Sequence, residues 1–174
     1  MDLLSIDEIA ELVLDVPDFP KPGIVFKDIT PILQNGNAFR SLTHMFANSL
    51  PTGATQLAAI ESRGFIFASA IAHHMGIGMS LIRKPGKLPR ETYSYSYSLE
   101  YGEDTLQVHK SSFGSNDKVV IIDDILATGG TASAVEQLCE MTGAEVLGHR
   151  FLVEIEFLKG REKLNYPVHS LIQV

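Results

Sequence analysis

The sequence feature that most constrains the fold is the run from Val119 to Thr131, where an apolar stretch leads through two acids into a glycine-rich turn. Val119–Ile122 is wholly apolar, which is typical of a strand buried on both faces of a parallel sheet. Asp123 and Asp124 follow, and a helix is predicted from about Thr131 to Met141. This order predicts a ligand site, because ligands of open α/β sheets bind beyond the carboxyl ends of the strands.

The turn between strand and helix, Ala127-Thr128-Gly129-Gly130-Thr131, has the character of a phosphate site. Free N–H groups and the dipole at a helix N-terminus favour an anion. Gly129 and Gly130 allow the backbone to approach it closely, and Thr128 and Thr131 supply hydroxyl donors.

The two acids before the turn indicate what else the ligand carries. Carboxylates would repel a phosphate, so Asp123 and Asp124 are expected to face either ribose hydroxyls, which donate hydrogen bonds, or a metal ion. The pattern therefore predicts a ribose phosphate, with Mg²⁺ as an open possibility. A nucleotide-binding G-x-x-x-x-G-K-[ST] loop is absent from the sequence, and a dinucleotide fold would place its acid after the glycines.

The rest of the chain alternates predicted strands with predicted helices, which favours an α/β fold with a mostly parallel sheet flanked by helices. We expect a single domain over residues 1–174. Besides the run above, the predicted elements are a capped helix from Ser5 through Val16, a helix at Phe39–Phe46, a strand at Gln56–Ile60, a helix at Phe65–Met75, a strand at Met79–Ile82, a basic loop at Arg83–Thr92, a strand through Tyr93, Tyr95 and Tyr97, and a strand at Val146–Ile155.

Composition narrows the choice of partners. The formal charge of −7 argues against general binding to nucleic-acid backbones, although local basic groups can still hold a small anion. Tyr93, Tyr95 and Tyr97 alternate with serines and could stack on nucleic-acid bases, but the acidic net charge favours packing within a strand instead. The longest apolar region, from Leu57 to Ile82, is interrupted by charged residues and is not expected to cross a membrane. One cysteine, Cys139, and no signal-peptide pattern lead us to expect a cytoplasmic protein.

The run from Val119 to Thr131 is similar to the motif that binds phosphoribosyl pyrophosphate (PRPP) in type I phosphoribosyltransferases. Further segments resemble the members of that family that use adenine, and they occur in the family's order over nearly the whole chain. These segments are Phe19–Asp28, Glu61–Phe65, Arg83–Pro89, Ser98–Gly102 and Leu158–Leu164.

The resemblance implies a parallel sheet flanked by helices with a small hood, to which the segment of about residues 1–34 belongs. It implies transfer of the 5-phosphoribosyl group of PRPP to adenine, giving AMP and pyrophosphate. Mg²⁺ is implied as cofactor, held mainly through PRPP and pyrophosphate rather than by the chain. A homodimer is implied, and no nucleic-acid or membrane partner is expected.

The PRPP-binding residues follow from the matching positions. Asp123 and Asp124 are implied to hold the ribose diol, and the segment from Ala127 to Thr131 the 5′-phosphate. A second turn between strand and helix is implied to bind pyrophosphate, often with a cis peptide bond that would here join Glu61 and Ser62. The remaining implied residues are Arg63 in this second turn and the basic residues Arg83, Lys84 and Lys87 of a loop that closes over PRPP; the family's counterpart of Arg83 can reach a neighbouring subunit's site.

The resemblance also implies catalytic and adenine-binding residues. Glu100 is implied to manage the proton of the base, with Arg63 and Lys87 as the other catalytic groups. Phe26 and Ile155 match positions that sandwich adenine, while the backbone of Val25 and Lys27 is expected to read its edge. Lys27 replaces the arginine common at that position, which should matter little if the backbone does the reading.

Two alternatives stay open on the sequence alone. One is a hypoxanthine or xanthine phosphoribosyltransferase, which the adenine-type segments disfavour. The other is a non-catalytic regulator that senses PRPP with the same fold. Such regulators carry a DNA-binding domain, and the acidic charge and the short segment before Phe19 argue against one.

Overall fold

The computed structural model describes residues 2–99 and 102–174. The chain separates into two compact units, one ending at Asn48 and one spanning Ser49–Val174. Each unit is described below by itself, and the single domain expected from the sequence stays a prediction. Within the described residues, no helix is long and apolar enough to cross a membrane.

The first unit contains a short capped helix and a two-stranded sheet. Ser5 caps the helix, accepting a hydrogen bond from the Glu8 N–H while the Glu8 carboxylate accepts from Ser5, so the predicted capping box is confirmed. The expected continuation to Val16 is wrong, because Leu14–Pro17 instead pairs antiparallel with Val25–Asp28. The elements are α1 (Ile6–Ala10), β1 (Leu14–Pro17), β2 (Val25–Asp28), α2 (Thr30–Gln34) and α3 (Gly36–Ser49), of which α3 ends at the first residue of the second unit.

The second unit is built on a five-stranded parallel sheet, which confirms the α/β prediction. The strands lie in the order β4-β3-β7-β8-β9, and α4 and α5 pack on the sheet. The elements are β3 (Gln56–Ile60), α4 (Arg63–Met75), β4 (Gly78–Ile82), β5 (Thr92–Leu99), β6 (Gly102–His109), β7 (Lys118–Leu126), α5 (Gly130–Thr142), β8 (Glu145–Glu154), 3₁₀ turns at Glu156–Leu158 and Gly160–Lys163, and β9 (Val168–Gln173).

The core lies around the central strand β7, whose first apolar residues, Val119–Ile122, are fully buried. Since all five strands run the same way, their carboxyl ends meet at one edge of the sheet. The turns after β3, β4, β7 and β8 therefore leave the sheet at the same edge, where the sequence places most of its candidate functional residues.

Strands β5 and β6 form an antiparallel hairpin. Tyr93, Tyr95 and Tyr97 project to one face of β5 and pack against the buried core, so their interpretation as packing residues of a strand is confirmed. The hairpin joins the sheet edge through the backbone of Arg83, which exchanges hydrogen bonds with Gln107 on β6.

Candidate functional site

The acid pair lies inside β7 rather than after it. The strand was expected to end at Ile122, but it continues to Leu126, because β8 pairs with it along this stretch up to Glu154 opposite Leu126. The backbone of both acids is therefore fixed by the sheet. The Asp123 carboxylate accepts a hydrogen bond of 2.9 Å from the Asp124 N–H, which also fixes the first side chain.

Arg63 connects the turn after β3 with the acid pair. Its Nε lies 2.8 Å from Asp124 Oδ2, and the Asp124 side chain is 4% exposed, against 36% for Arg63. Apart from this ion pair, Asp124 Oδ2 receives no hydrogen bond within the described part of the chain. A buried oxygen with unused acceptor capacity suits a ligand hydroxyl.

The two carboxyl groups are unfavourable in their ionised forms. Burial raises the pKa of Asp123 well above its usual value, and the adjacent Asp124 carboxylate raises it further. Burial also raises the pKa of Asp124, while the Arg63 guanidinium opposes that rise. Acids with perturbed pKa values cluster at functional sites. A bound ligand can stabilise the ionised carboxylates where the protein alone does not.

Replacing Asp123 with asparagine should stabilise the ligand-free chain at neutral pH. A raised folded-state pKa means that the unmodified chain loses stability as pH rises from the unfolded-state pKa through the folded-state value. Asparagine stays neutral throughout, and its carbonyl oxygen still accepts the Asp124 N–H. Thermal unfolding of both proteins should show the largest gain near pH 7 and almost none near about pH 4, where an unfolded aspartate becomes protonated.

Two results of the same unfolding series would contradict this prediction. If the unmodified chain is as stable as the Asp123→Asn variant at neutral pH, the carboxyl ionises without cost and the burial argument fails. A stability difference that stays constant over the whole pH range would also contradict it, because only titration of the carboxyl makes the difference depend on pH.

The turn after β7 encloses a cavity at the start of α5. Gly129 caps α5 with a positive φ of 79°, a conformation that L side chains rarely adopt, which explains the glycine. The residues from Ala127 to Thr131 lie together around the cavity, as predicted. The cavity is lined by Asp123, Ile125, Leu126, Ala127, Thr128, Gly129, Gly130, Thr131, Ala132 and Phe151.

Tyr97 reaches this turn from the hairpin, a contact that sequence reasoning missed. Its hydroxyl lies 3.2 Å from Thr131 Oγ1 and 3.4 Å from Asp104 Oδ2. Asp104 in turn accepts a 2.7 Å hydrogen bond from Lys84 Nζ. The alternation of tyrosines in β5 placed Tyr97 on the inward face, but only the pairing with β6 shows that this face meets α5.

Glu61 holds the start of the basic loop. Its carboxylate accepts hydrogen bonds from Arg83 Nε at 3.3 Å and Nη2 at 3.2 Å, and from the Lys84 N–H at 2.9 Å. The paired Arg83 guanidinium keeps the pKa of Glu61 below its usual value. Glu61 therefore orients the start of the basic loop in this structure.

The other predicted PRPP-site residues are found at the same edge. The Glu61–Ser62 peptide bond is cis, as the resemblance implies, and Ser62 is exposed. Lys87 is exposed in the loop that starts at Arg83, with its N–H donating to the Lys84 carbonyl at 3.3 Å.

The predicted adenine-binding residues belong to both units of the chain. Val25, Phe26 and Lys27 belong to β2 of the first unit, where Lys27 Nζ pairs with Asp15 at 2.5 Å. Ile155 follows β8 in the second unit, and its N–H donates to the Leu126 carbonyl. Glu100 lies outside the described residues.

The two acids of the site, Asp123 and Asp124, carry oxygen atoms that suit a magnesium ion. However, no group of three or more His, Cys, Asp or Glu side chains able to hold a metal ion exists among the described residues.

Comparison with known proteins gives a consistent result. Residues 28–166 match the family model of the phosphoribosyl transferase domain. The adenine phosphoribosyltransferase of Roseiflexus sp. (strain RS-1) is 51% identical over 167 residues, which cover 95% of this chain and 97% of that protein.

Solved structures agree with the sequence comparison. The adenine phosphoribosyltransferase of Thermoanaerobacter pseudethanolicus superposes with a TM-score of 0.95 at 46% identity, covering 98% of this chain and 100% of that one. The Saccharomyces cerevisiae adenine phosphoribosyltransferase gives a TM-score of 0.93 at 38% identity, covering 95% of this chain and 97% of that one. That yeast structure is a complex with D-2,5-dideoxy-2,5-imino-altritol 1,6-bisphosphate and adenine.

Proposed function

Because the chain belongs to the phosphoribosyltransferase family, we propose that it transfers the 5-phosphoribosyl group of PRPP to adenine, releasing pyrophosphate and AMP. The observation that carries the proposal is the junction of two turns at one sheet edge, where Arg63 after β3 contacts Asp124 of β7. One turn has the residues for a ribose 5-phosphate, and the other has the arginine for a pyrophosphate. The adenine specificity of relatives such as the Roseiflexus protein points to the base.

In this proposal the chain's residues first fix the sugar. Asp123 and Asp124 accept hydrogen bonds from the ribose 2′- and 3′-hydroxyls, which satisfies the unused capacity of Asp124 Oδ2. The N–H groups and hydroxyls of the turn Ala127-Thr128-Gly129-Gly130-Thr131 hold the 5′-phosphate. With the hydroxyls and the 5′-phosphate of the ribose both bound, C1 is fixed relative to the attacking base. The entropy lost in bringing the two reactants together is then accounted for by binding and not by the chemical step.

The reaction is a displacement at ribose C1. The N9 lone pair of adenine forms the new bond as the bond from C1 to pyrophosphate oxygen breaks, so the leaving group takes the electron pair. Negative charge grows on pyrophosphate, and we assign the basic residues Arg63, Arg83, Lys84 and Lys87 to offset it. Mg²⁺ held through the same phosphate oxygens would supply further positive charge to the leaving group.

Base recognition and proton handling complete the proposal. Glu100 takes up the proton that adenine loses as N9 reacts. Val25, Phe26, Lys27 and Ile155 are assigned to adenine by the resemblance. The proposal also includes a homodimer, on the resemblance, and a cytoplasmic location, since the chain's only cysteine, Cys139, is buried and unpaired.

A release assay tests the function directly. Purified protein with Mg²⁺ should release pyrophosphate only when adenine and PRPP are both present, and AMP should form in equal amount. A PRPP-sensing regulator would bind PRPP without release. Binding of PRPP with no pyrophosphate released in the presence of adenine would therefore overturn the enzymatic proposal in favour of that alternative.

Thr131→Ala should weaken PRPP binding by ~10- to 10²-fold, because it removes a hydroxyl that donates to a charged phosphate, an interaction worth ~1.5–3 kcal/mol. Isothermal titration with PRPP measures the change. Thr142→Ala is the matched control, since it removes a threonine hydroxyl from the far end of α5 that bonds only the Cys139 carbonyl among the described residues. Equal PRPP affinities for the two variants would place the 5′-phosphate elsewhere.

A further inference from the structure

The turn that holds the 5′-phosphate in our proposal rests on a second glycine. Gly160 begins the 3₁₀ turn Gly160–Lys163 and is buried against the backbone of residues 127–129. A Cβ added to Gly160 would lie 2.1 Å from the Ala127 carbonyl oxygen and 2.9 Å from the Gly129 nitrogen. A Cβ on Gly129 would in turn lie 2.2 Å from the Gly160 carbonyl oxygen. Two backbone segments therefore touch here with no room for a side chain on either.

The contact joins backbone atoms to backbone atoms, so a side chain added at Gly160 must displace backbone. No flexible side chain can move aside, so a methyl group would displace the Ala127 carbonyl by more than an ångström before ordinary packing distance returned. Gly160 has no positive φ, so alanine is allowed there by the backbone itself. The strain of Gly160→Ala thus arises at its contact with residues 127–129 and not from its own φ.

An ion pair holds the 3₁₀ turn in place. Arg161 Nε and Nη2 donate to the two oxygens of Glu154 at 2.9 and 2.6 Å, in the bidentate geometry that gives such pairs directional strength. Glu154 is buried at the end of β8, opposite Leu126 of β7, and also accepts from Ser170. The guanidinium of Arg161 keeps the pKa of Glu154 below its usual value. The sheet edge itself therefore anchors the segment that supports Gly160.

We propose that Gly160 is a positioning residue for the 5′-phosphate, which sets the shape of the turn from Ala127 to Thr131 from behind while the Glu154–Arg161 pair holds it there. Gly160 contacts no part of the substrate in this arrangement. The inference rests on the proposed function only in naming the anion. It gives a physical role to the glycine and arginine of the segment Leu158–Leu164, whose part in the site the sequence did not reveal.

We expect Gly160→Ala to lose affinity for one phosphate ligand and not for the other. A displaced turn should lose its fit to a 5′-phosphate, whereas the turn Glu61-Ser62-Arg63, assigned to pyrophosphate, follows β3 and has no atom among those nearest to a Cβ on Gly160. Displacements of about an ångström at a site can cost up to ~10²-fold. We therefore expect Gly160→Ala to weaken ribose 5-phosphate binding by ~10- to 10²-fold and to leave the affinity for magnesium pyrophosphate unchanged.

Calorimetric titration with ribose 5-phosphate and, separately, with magnesium pyrophosphate tests this. Gly114→Ala is the control, because a Cβ there meets nothing within 4 Å and its φ is also ordinary. The steady-state KM for PRPP should rise in Gly160→Ala more than the KM for adenine. Equal losses for both phosphate ligands, or affinities equal to those of Gly114→Ala, would overturn the positioning role.

A second variant covers failure of the first to fold. Arg161→Gln breaks the bidentate pair without placing an atom in the turn. The loss of affinity for ribose 5-phosphate, relative to that for magnesium pyrophosphate, then tests the positioning role in the same way. If the unmodified chain binds ribose 5-phosphate but transfers nothing to adenine, the proposed function is wrong. The comparison of the two affinity losses still tests the role of Gly160 in that case. If the unmodified chain does not bind ribose 5-phosphate, both are overturned.

Discussion

Replacing Glu100 with glutamine should lower turnover with adenine by ~10²–10⁴-fold, the usual range for a positioned acid or base, while PRPP affinity stays close to that of the unmodified chain. Glutamine keeps the size of the side chain but has no basicity, so adenine loses its proton acceptor. Glu100 lies outside the described residues, and the expectation comes from the segment Ser98–Gly102, which resembles the family. Steady-state turnover and equilibrium PRPP binding without adenine together measure the effect.

Two comparison variants make this prediction decisive. Glu103→Gln makes the same change at an exposed residue of β6, three positions further along the chain, and should leave turnover unchanged. Asp124→Asn should weaken PRPP binding as well, because it alters the acceptor for the ribose hydroxyls. Wild-type turnover in Glu100→Gln would refute the proton role, and a loss of PRPP affinity as large as in Asp124→Asn would assign Glu100 to the PRPP site.

The parallel sheet could be predicted because its inner strands β3 and β7 are largely buried on both faces. Strands β3 and β7 appear in the sequence as short apolar runs, and their alternation with helices fixes the class. Strands β1, β2, β6 and β9 were not predicted. Each mixes polar with apolar residues, and β6 has six of eight residues that are not fully buried, so its pairing with β5 rather than its own pattern defines it.

The cavity-lining turn from Ala127 to Thr131 could be located from the sequence because all its residues are contiguous, whereas the residues that support it could not. Tyr97 and Gly160 reach the turn from distant parts of the chain, through a hairpin and a 3₁₀ turn whose positions only tertiary structure gives. The buried pair of Glu136 and His149 is similar. Their Oε1 and Nε2 atoms lie 2.7 Å apart inside the core, and no local pattern indicates that these two residues meet.

Base choice is the second large effect that we expect. A site that pairs with the exocyclic amine of adenine leaves buried polar groups unpaired when hypoxanthine presents a carbonyl there. Mismatches of this kind are discriminated by ~10⁴-fold or more in kcat/KM. The prediction depends on the backbone of Val25 and Lys27 reading the base edge, so Lys27→Arg should leave the preference intact.

The most direct test is to measure kcat/KM for adenine, hypoxanthine and guanine with saturating PRPP and Mg²⁺, using one preparation of the protein. The account predicts AMP formation from adenine, with kcat/KM for the other two bases lower by ~10⁴-fold. Hypoxanthine or guanine turnover comparable to that of adenine would contradict the assignment of the base, and no turnover with any of the three would contradict the assignment as a purine phosphoribosyltransferase.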